Sequence, residues 1–497
     1  MTNFQSNLFK SKLRTIFWPI HASELAKFIP MSALMFCILF NQNILRILKD
    51  SILISEISAE VASFAKVYCV TPAAAIFVII YAKMVNHVSF AKIYYYLISV
   101  FVGFFVIFAF IIYPNIQTFH ADSAKLAKMM IAYPHFKWYI ALVCNWSYIT
   151  FYTLSELWPN IFYILLFWQF ANEVTSTEEA KRFYTFFSLF GNSSVIFVGL
   201  LMMNLSSEKT FIKYFINITD NKITLVQAST IFVIASSILS CLLLRFLTTR
   251  IWVDPEYLLH PKNSGKEDMG LLKSFQYIAR SKYLWLMVVC SAAFGCAINL
   301  VEAVWKAKIK ELYPTVNSYA EFNSLYILWT GVTIMVMTII GNNIMRSHSW
   351  FVAAIISPVI IMVTGIMFFA LVVFDQKIIS LFDGAIIMSP LALAVSVGAI
   401  QNILAKGTKY SIWDTSREML YIPLDKELKT KGKAAVDVIS SKIGKSSSGL
   451  LQSVIFTIIP TATFTSISPL LAIIFTIVCT LWIYAIRKIY SEYQKIV

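Results

Sequence analysis

Twelve apolar stretches, separated by short polar segments, run along the chain near residues 28–47, 64–82, 93–113, 146–168, 184–204, 226–246, 283–303, 325–345, 350–371, 381–404, 438–460 and 466–486. About 20 apolar residues are enough for a helix to cross a bilayer. The pattern therefore predicts an all-α polytopic membrane protein of about 12 transmembrane helices. Two stretches are weaker than the rest. The fourth contains Glu156 and Pro159, and the eleventh opens with the polar run Ser440-Ser441-Lys442-Ile443-Gly444-Lys445-Ser446-Ser447-Ser448. The residues up to Lys27 are polar and basic, and the run after them lacks a small-residue cleavage site, so it reads as a retained first span.

Composition sharpens the class. Of the 497 residues, 58% are hydrophobic and only 13% charged, against roughly 45–50% and about 25% in soluble domains. One core cannot bury that much apolar surface. A soluble multidomain enzyme, a disordered chain and a disulfide scaffold are set aside. The seven cysteines form no CxxC, and all but Cys144 lie in apolar runs; the six histidines form no HExxH. No metal or cofactor is expected.

The formal net charge is +15, but the basic residues are spread over loops between spans, so no nucleic-acid partner is expected. With the N-terminus inside, cytoplasmic segments carry twenty-five Lys and Arg and external loops twelve. That twofold bias predicts a multi-pass protein of the inner (cytoplasmic) membrane with both termini cytoplasmic. The polar segment 248–282, with ten charges, reads as a cytoplasmic linker between an N-terminal six-helix half (1–247) and a C-terminal half (283–497). Two weak internal echoes agree. Ser188-Leu-Phe-Gly191-Asn192-Ser193-Ser194 parallels Ser441-Lys-Ile-Gly444-Lys445-Ser446-Ser447, and Asn43-Ile-Leu45 parallels Asn299-Leu-Val301. Both lie on spans that a duplication would equate, as in major-facilitator transporters.

Function is sought where charge meets hydrocarbon, because an ionised group at mid-bilayer costs roughly 2.5–3.5 kcal/mol and must face a cavity or a partner. Arg46 and Lys49 lie three apart at the end of the first span; they form an anion clamp on one face, or merely cap a helix C-terminus. Glu156, in Ser155-Glu156-Leu157-Trp158-Pro159, is a partner for a buried cation, a protonatable relay, or an interfacial acid where Pro159 loosens the helix. Glu302 is either a cavity acid or an i, i+4 partner of Lys306. Lys445 sits in Gly444-Lys445-Ser446, which fails as a phosphate loop because Ile439 stands where a glycine is needed. It reads instead as a point charge for phosphate beside small, close-packing residues. Paired opposite charges in one cavity suit a highly charged anion. Of the abundant aromatics, none is singled out to stack on a base.

These residues carry a resemblance. Lys27-Phe-Ile-Pro-Met, Asn43-Ile-Leu-Arg46-Ile-Leu-Lys49-Asp50, Ser155-Glu156-Leu-Trp-Pro, Leu166-Phe-Trp-Gln-Phe-Ala-Asn172, Glu179-Ala-Lys-Arg-Phe-Tyr184, Asn299-Leu-Val-Glu302-Ala-Val-Trp-Lys306, Glu311-Leu-Tyr-Pro314, Tyr421-Ile-Pro-Leu-Asp425 and Gly444-Lys445-Ser446 resemble the bacterial and plastidic ATP/ADP translocases, most of all their rickettsial branch. The resemblance implies exchange of external ATP for internal ADP across the cytoplasmic membrane, supplying the cell with host nucleotide, with Lys49, Glu156, Glu302 and Lys445 carrying transport. Expected partners are ATP and ADP, other nucleotides or phosphate, and the lipid bilayer, with no obligate protein partner. One departure concerns Ser447-Ser448, where familiar members have Gly-Gly. It leaves open a paralogue carrying GTP/GDP, CTP or UTP. A membrane-embedded enzyme acting on a phosphorylated lipid or nucleotide would need a histidine or an acid cluster beside the cations, and no histidine lies convincingly within a span. An anion channel would have no use for Glu156 and Glu302. The expectation is a carrier with no catalytic residue.

Overall fold

The computed structural model describes residues 20–207, 221–251, 281–374, 388–424 and 433–496; the linker prediction for 248–282 falls almost wholly outside them. Every predicted span has its helix. In chain order, α1 is Leu25–Glu56; α2 is Ala59–Ala65 and Thr71–His87 joined by a π-helical turn, Lys66–Val70; α3 is Phe90–Ile107, ending in the π turn Phe108–Ile112. Next, α4 is Trp146–Trp158, the π segment Pro159–Phe167 and Trp168–Val174; α5 is Thr177–Ser206; α6 is Asn221–Phe246 with the π turn Leu247–Ile251. Then α7 is Lys282–Leu312, α8 is Val316–Ser347 and α9 is Trp350–Val373; α10 is Pro390–Thr408, the π turn Lys409–Trp413 and Asp414–Met419; α11 is Lys433–Ile458 and α12 is Phe464–Ile496. The described residues include no strand.

Ten of these helices are long and apolar enough to cross a membrane among the described residues. The other two helices, α4 and α11, are not among them. Proline lacks the N–H that continues the ladder, and α4 gives way to π-helical geometry at Pro159. Helix α11 runs over Lys433–Ile458, and Ser447–Ile458 is a shorter apolar stretch within it.

The helices pack as two sets around two central members. Helix α1 packs on α4, α5 and α6, and α7 packs on α10, α11 and α12. The apolar windows of α1 and α7 are 72% and 56% buried, more than any other span among the described residues. One device recurs in both sets. The Trp158 indole of α4 donates to the Ile38 carbonyl of α1 at 3.1 Å, and the Trp305 indole of α7 donates to the Val395 carbonyl of α10 at 2.8 Å. Such bonds let a large ring pack among helices without stranding its N–H.

The sets meet along α5 and α8, α1 and α8, and through the first segment of α2 against α7 and α11. At the α5–α8 crossing a Cβ on Gly199 would sit 3.0 Å from the Leu328 Cα, so only glycine permits that backbone approach. Hydrogen bonds gather at one end. Lys310 donates to the Ile57 carbonyl at 2.7 Å, the Phe464 N–H to Glu60 at 3.3 Å and Lys137 to the Pro460 carbonyl; His135 Nδ1 meets the Thr457 carbonyl at 2.8 Å.

Gly398 of α10 packs under Trp305, where an added Cβ would lie 2.2 Å from the indole Cδ1. Overpacking of this kind costs about 1–3 kcal/mol. Gly398→Ala is therefore expected to lower the melting temperature of the detergent-solubilised protein by several degrees, read from thermal unfolding; an unchanged melting temperature would show that the indole simply moves aside.

Candidate functional site

The predicted ends of spans one and seven, at 47 and 303, fall short of the helices, which run on to Glu56 and Leu312. Arg46, Lys49, Glu302 and Lys306 are thus six to ten residues inside their helices and do not cap them. That removes the helix-end reading for these groups. It also places them level with one another between the two central helices, α1 and α7.

Asp50 holds the centre. Its carboxylate takes Lys49 at 2.9 Å and Lys306, from the other set of helices, at 2.8 Å. Lys49 also pairs with Glu156 of α4 at 2.7 Å, and Lys306 with Glu302 one turn back at 3.1 Å. The result is a continuous chain, Glu156–Lys49–Asp50–Lys306–Glu302, crossing from α4 through α1 to α7. Lys49, Asp50 and Lys306 are buried, while the two end carboxylates are half-buried. Alternation of sign is the arrangement a low-dielectric interior demands, since each ion's lost hydration must be offset by a close partner. Aromatics complete the walls. The Lys49 ammonium lies 4.6 Å from the Tyr152 ring centre, a cation–π distance.

Three further cations surround the chain. Arg46 has Tyr326, Glu302, Tyr410 and Asp50 as its electrostatic neighbours. Lys406, buried on α10, donates to the Tyr326 hydroxyl and lies 4.9 Å from the centre of that ring. Lys66, at the π turn of α2, donates to Asn299 at 3.4 Å. Five cations thus face three carboxylates among the described side chains, an excess of two positive charges in a protein interior. Next to Lys66 and Lys306 lies a small, partly open pocket between α2, α7 and α11.

Of the residues singled out in the sequence, Lys49, Glu156, Glu302 and Arg46 come together here. Lys445 lies on α11; its side chain is outside the described residues. Arg46 and Lys49 are not a matched clamp, because Lys49 is held by two acids whereas Arg46 looks toward α8 and α10. The i, i+4 pairing of Glu302 with Lys306 is present, yet Lys306 also reaches across to Asp50. Sequence reasoning missed Asp50, Lys66 and Lys406 as site residues. Lys406 lies just beyond the predicted tenth span, whereas Lys66 is a lone charge inside the predicted second span; Asp50 follows Lys49 directly and has no motif of its own.

Three π-helical segments adjoin the site: Lys66–Val70 begins at a site lysine, Pro159–Phe167 follows Glu156, and Lys409–Trp413 follows Lys406. The Glu156 carbonyl, next to the break in the ladder, accepts from the Asn160 amide at 3.3 Å. Such segments widen the helix and re-aim the side chains that precede them.

Comparison with known proteins agrees with this architecture. Residues 4–493 match the family described as TLC ATP/ADP transporter. The chain is 74% identical to ADP,ATP carrier protein 5 of Rickettsia bellii over 498 residues, with all of both chains covered. It is 40% identical to ADP,ATP carrier protein 1 of the same organism over 500 residues, covering 100% of this chain and 99% of that one. Among solved structures, a bacterial homologue of the iron transporter ferroportin in its inward-facing state superposes with a TM-score of 0.62 at 12% identity, over 95% of this chain and 99% of that one. The nucleoside transporter NupG superposes with a TM-score of 0.51 at 10% identity, over 93% and 99%. At such identities these structures establish the transporter fold alone.

Removing one partner of a buried ion pair costs about 3–5 kcal/mol, because it leaves the other charge uncompensated. Asp50→Ala should therefore lower thermal stability in detergent markedly, and adding Lys306→Met should recover part of the loss. A double-mutant cycle measures this coupling; strictly additive losses would show that the two side chains do not sustain each other.

Proposed function

The chain belongs to the TLC ATP/ADP transporter family, and from that premise we propose that it is a nucleotide antiporter exchanging external ATP for internal ADP across the cytoplasmic membrane and supplying the cell with host nucleotide. The observation that carries the reading is the cation excess around Asp50 in a protein whose family moves ATP and ADP. Nucleotide phosphates need several cations, and an empty carrier needs those cations neutralised.

In this reading Lys49 and Lys306 are held by Glu156, Asp50 and Glu302 while the site is empty and turn to phosphate when nucleotide enters. Arg46 is a further phosphate ligand, and Lys445 of α11 another. ATP is cargo here, so the protein performs no covalent chemistry. Residues 1–247 and 283–497 are the two halves that rock about the site, with 248–282 as their linker. Assigning Lys49, Lys66 and Lys306 to the site lowers the external tally of basic residues from twelve to nine, and assigning Lys406 lowers the cytoplasmic tally only from twenty-five to twenty-four. The steeper bias supports cytoplasmic termini. The hydrogen-bonded end at Ile57, Glu60 and Pro460 then faces outward, and the site opens inward.

Ser447-Ser448 supports a second reading, in which the base carried differs from adenine while the phosphate ligands stay the same. Phosphate as a co-substrate fits the same cations.

The function is tested by uptake of labelled ATP into cells or proteoliposomes preloaded with ADP. Internal ADP should stimulate uptake severalfold, and excess unlabelled GTP, CTP or UTP should compete poorly; strong competition by one of them would reassign the base, and no uptake of any nucleotide would end the reading. Orientation has its own check. Ile131, 79% exposed, lies in the α3–α4 connection, so a cysteine there should react with an impermeant thiol reagent in intact cells; labelling only in inverted vesicles would reverse the topology.

A further inference from the structure

Lys66 is a cation for which the ion chain leaves no acid. Among the described residues no carboxylate lies within 4 Å of its ammonium, and its hydrogen-bond partner is the neutral Asn299 at 3.4 Å. Its electrostatic surroundings include Lys306 and Lys49 as well as Glu302 and Glu156. A lysine placed beside other lysines without its own counter-ion raises the energy of the empty site, and an anion relieves it.

The small, partly open pocket beside it is lined by Ser63 and Lys66 of α2, by Asn299, Glu302 and Lys306 of α7, and by Gln452 of α11. Gln452 is 2% exposed. Its side-chain oxygen accepts from Ser63 at 2.6 Å, which leaves its Nε2 a buried donor with no partner among the described residues. A stranded buried donor costs free energy that a ligand acceptor would recover. Close approach of α11 to α2 sets the spacing, since a Cβ on Gly449 would lie 3.2 Å from Val67 Cγ2. Donors from α2, α7 and α11 thus surround one space, with no acid of their own beyond Glu302, which Lys306 already holds.

We propose that Lys66, Gln452 and Lys306 form a phosphoryl-binding subsite, on the side of the ion chain away from Arg46 and Lys406. The inference rests on the nucleotide-antiport reading and adds residues that the sequence motifs do not single out. The phosphoryl group is one of the bound nucleotide or a free inorganic phosphate; both present the same tetrahedral oxygens. The two clusters flanking Glu302 and Lys306 then divide the ligand, with Arg46 and Lys406 on one side and Lys66 and Gln452 on the other.

The test is ATP/ADP exchange in proteoliposomes, with the kinetics normalised to the amount of reconstituted protein. Lys66→Gln should raise the KM for ATP and ADP about tenfold or more with a smaller change in maximal rate, Lys66→Arg should restore most of the affinity, and Gln452→Leu should move KM in the same direction by less. A raised nucleotide KM assigns the subsite to the nucleotide. Unchanged nucleotide KM with loss of inhibition by inorganic phosphate assigns it to free phosphate. If both quantities stay at wild-type values in Lys66→Gln while exchange persists, the subsite is overturned and the antiport reading stands; if the wild-type protein exchanges no nucleotide, it is the antiport reading that fails. Should Lys66→Gln reconstitute poorly, Gln452→Glu supplies the same test by placing an anion in the cavity, with a larger rise in KM expected.

Discussion

One carboxylate, Asp50, is shared by two lysines from opposite sets of helices, and the rest of the site is arranged around that sharing. Lys49 and Lys306 approach it at 2.9 and 2.8 Å. A single acid cannot satisfy two buried ammonium ions alone, so each lysine has a second acid, Glu156 on one side and Glu302 on the other. These outer acids are half-buried, and Glu302 lines the pocket, whereas Asp50 is enclosed. The inner bonds therefore couple the two sets of helices to each other, and the outer bonds are the ones a ligand can reach first.

That constraint also explains where the helices are regular. Asp50 must be met from α1 and α7 at once, and these two helices are continuous through the site, more buried than the other spans, and braced in the same way by Trp158 and Trp305. The helices that bring the remaining charges, α2, α4 and α10, are interrupted by π-helical segments beside them. Fixed central helices set the position of the ion chain, and irregular outer ones adjust the groups around it. Gly199 and Gly449 serve the same end from outside the site, since each allows helices from the two sets to approach to within a few ångströms of backbone or Cγ contact.

The fold was legible in the sequence because bilayer thickness imposes a length on every span, and each of the twelve apolar runs became a helix. The two weak ones, with Pro159 in α4 and the serine-rich opening of α11, became helices as well. The site was only partly legible. Hydropathy ends a span where charge begins, so the ends of α1 and α7 were drawn about nine residues short, and Lys49 and Lys306 fell at apparent membrane boundaries. The same rule left Lys406 just outside the tenth span. Asp50 was hidden for a different reason. Its importance lies in contact with a residue 256 positions away, and no local pattern reports a partner at that separation. A lone lysine within an apolar run was the one signal that would have found Lys66.

The charge balance also bears on how exchange is driven. The described side chains leave two positive charges uncompensated, and ATP and ADP are both more strongly anionic than that in their ionised forms. In the proposed function, binding therefore requires either that further cations join or that a carboxylate withdraw from its lysine. Glu156 and Glu302 are half-buried, whereas Asp50 is buried. The outer acids can accordingly yield while Asp50 keeps its hold between α1 and α7, so the contact between the helix sets need not dissolve when ligand arrives. ATP carries one phosphoryl group more than ADP, so an unaccompanied exchange of one for the other moves net negative charge inward. Each elementary charge moved against an inside-negative potential costs about 2.3 kcal/mol per 100 mV. The outward gradient of ADP and the inward gradient of ATP must exceed that cost together, unless a further anion leaves with the ADP. A site with two cationic clusters, flanking Glu302 and Lys306, has the ligands to hold such an anion beside a nucleotide.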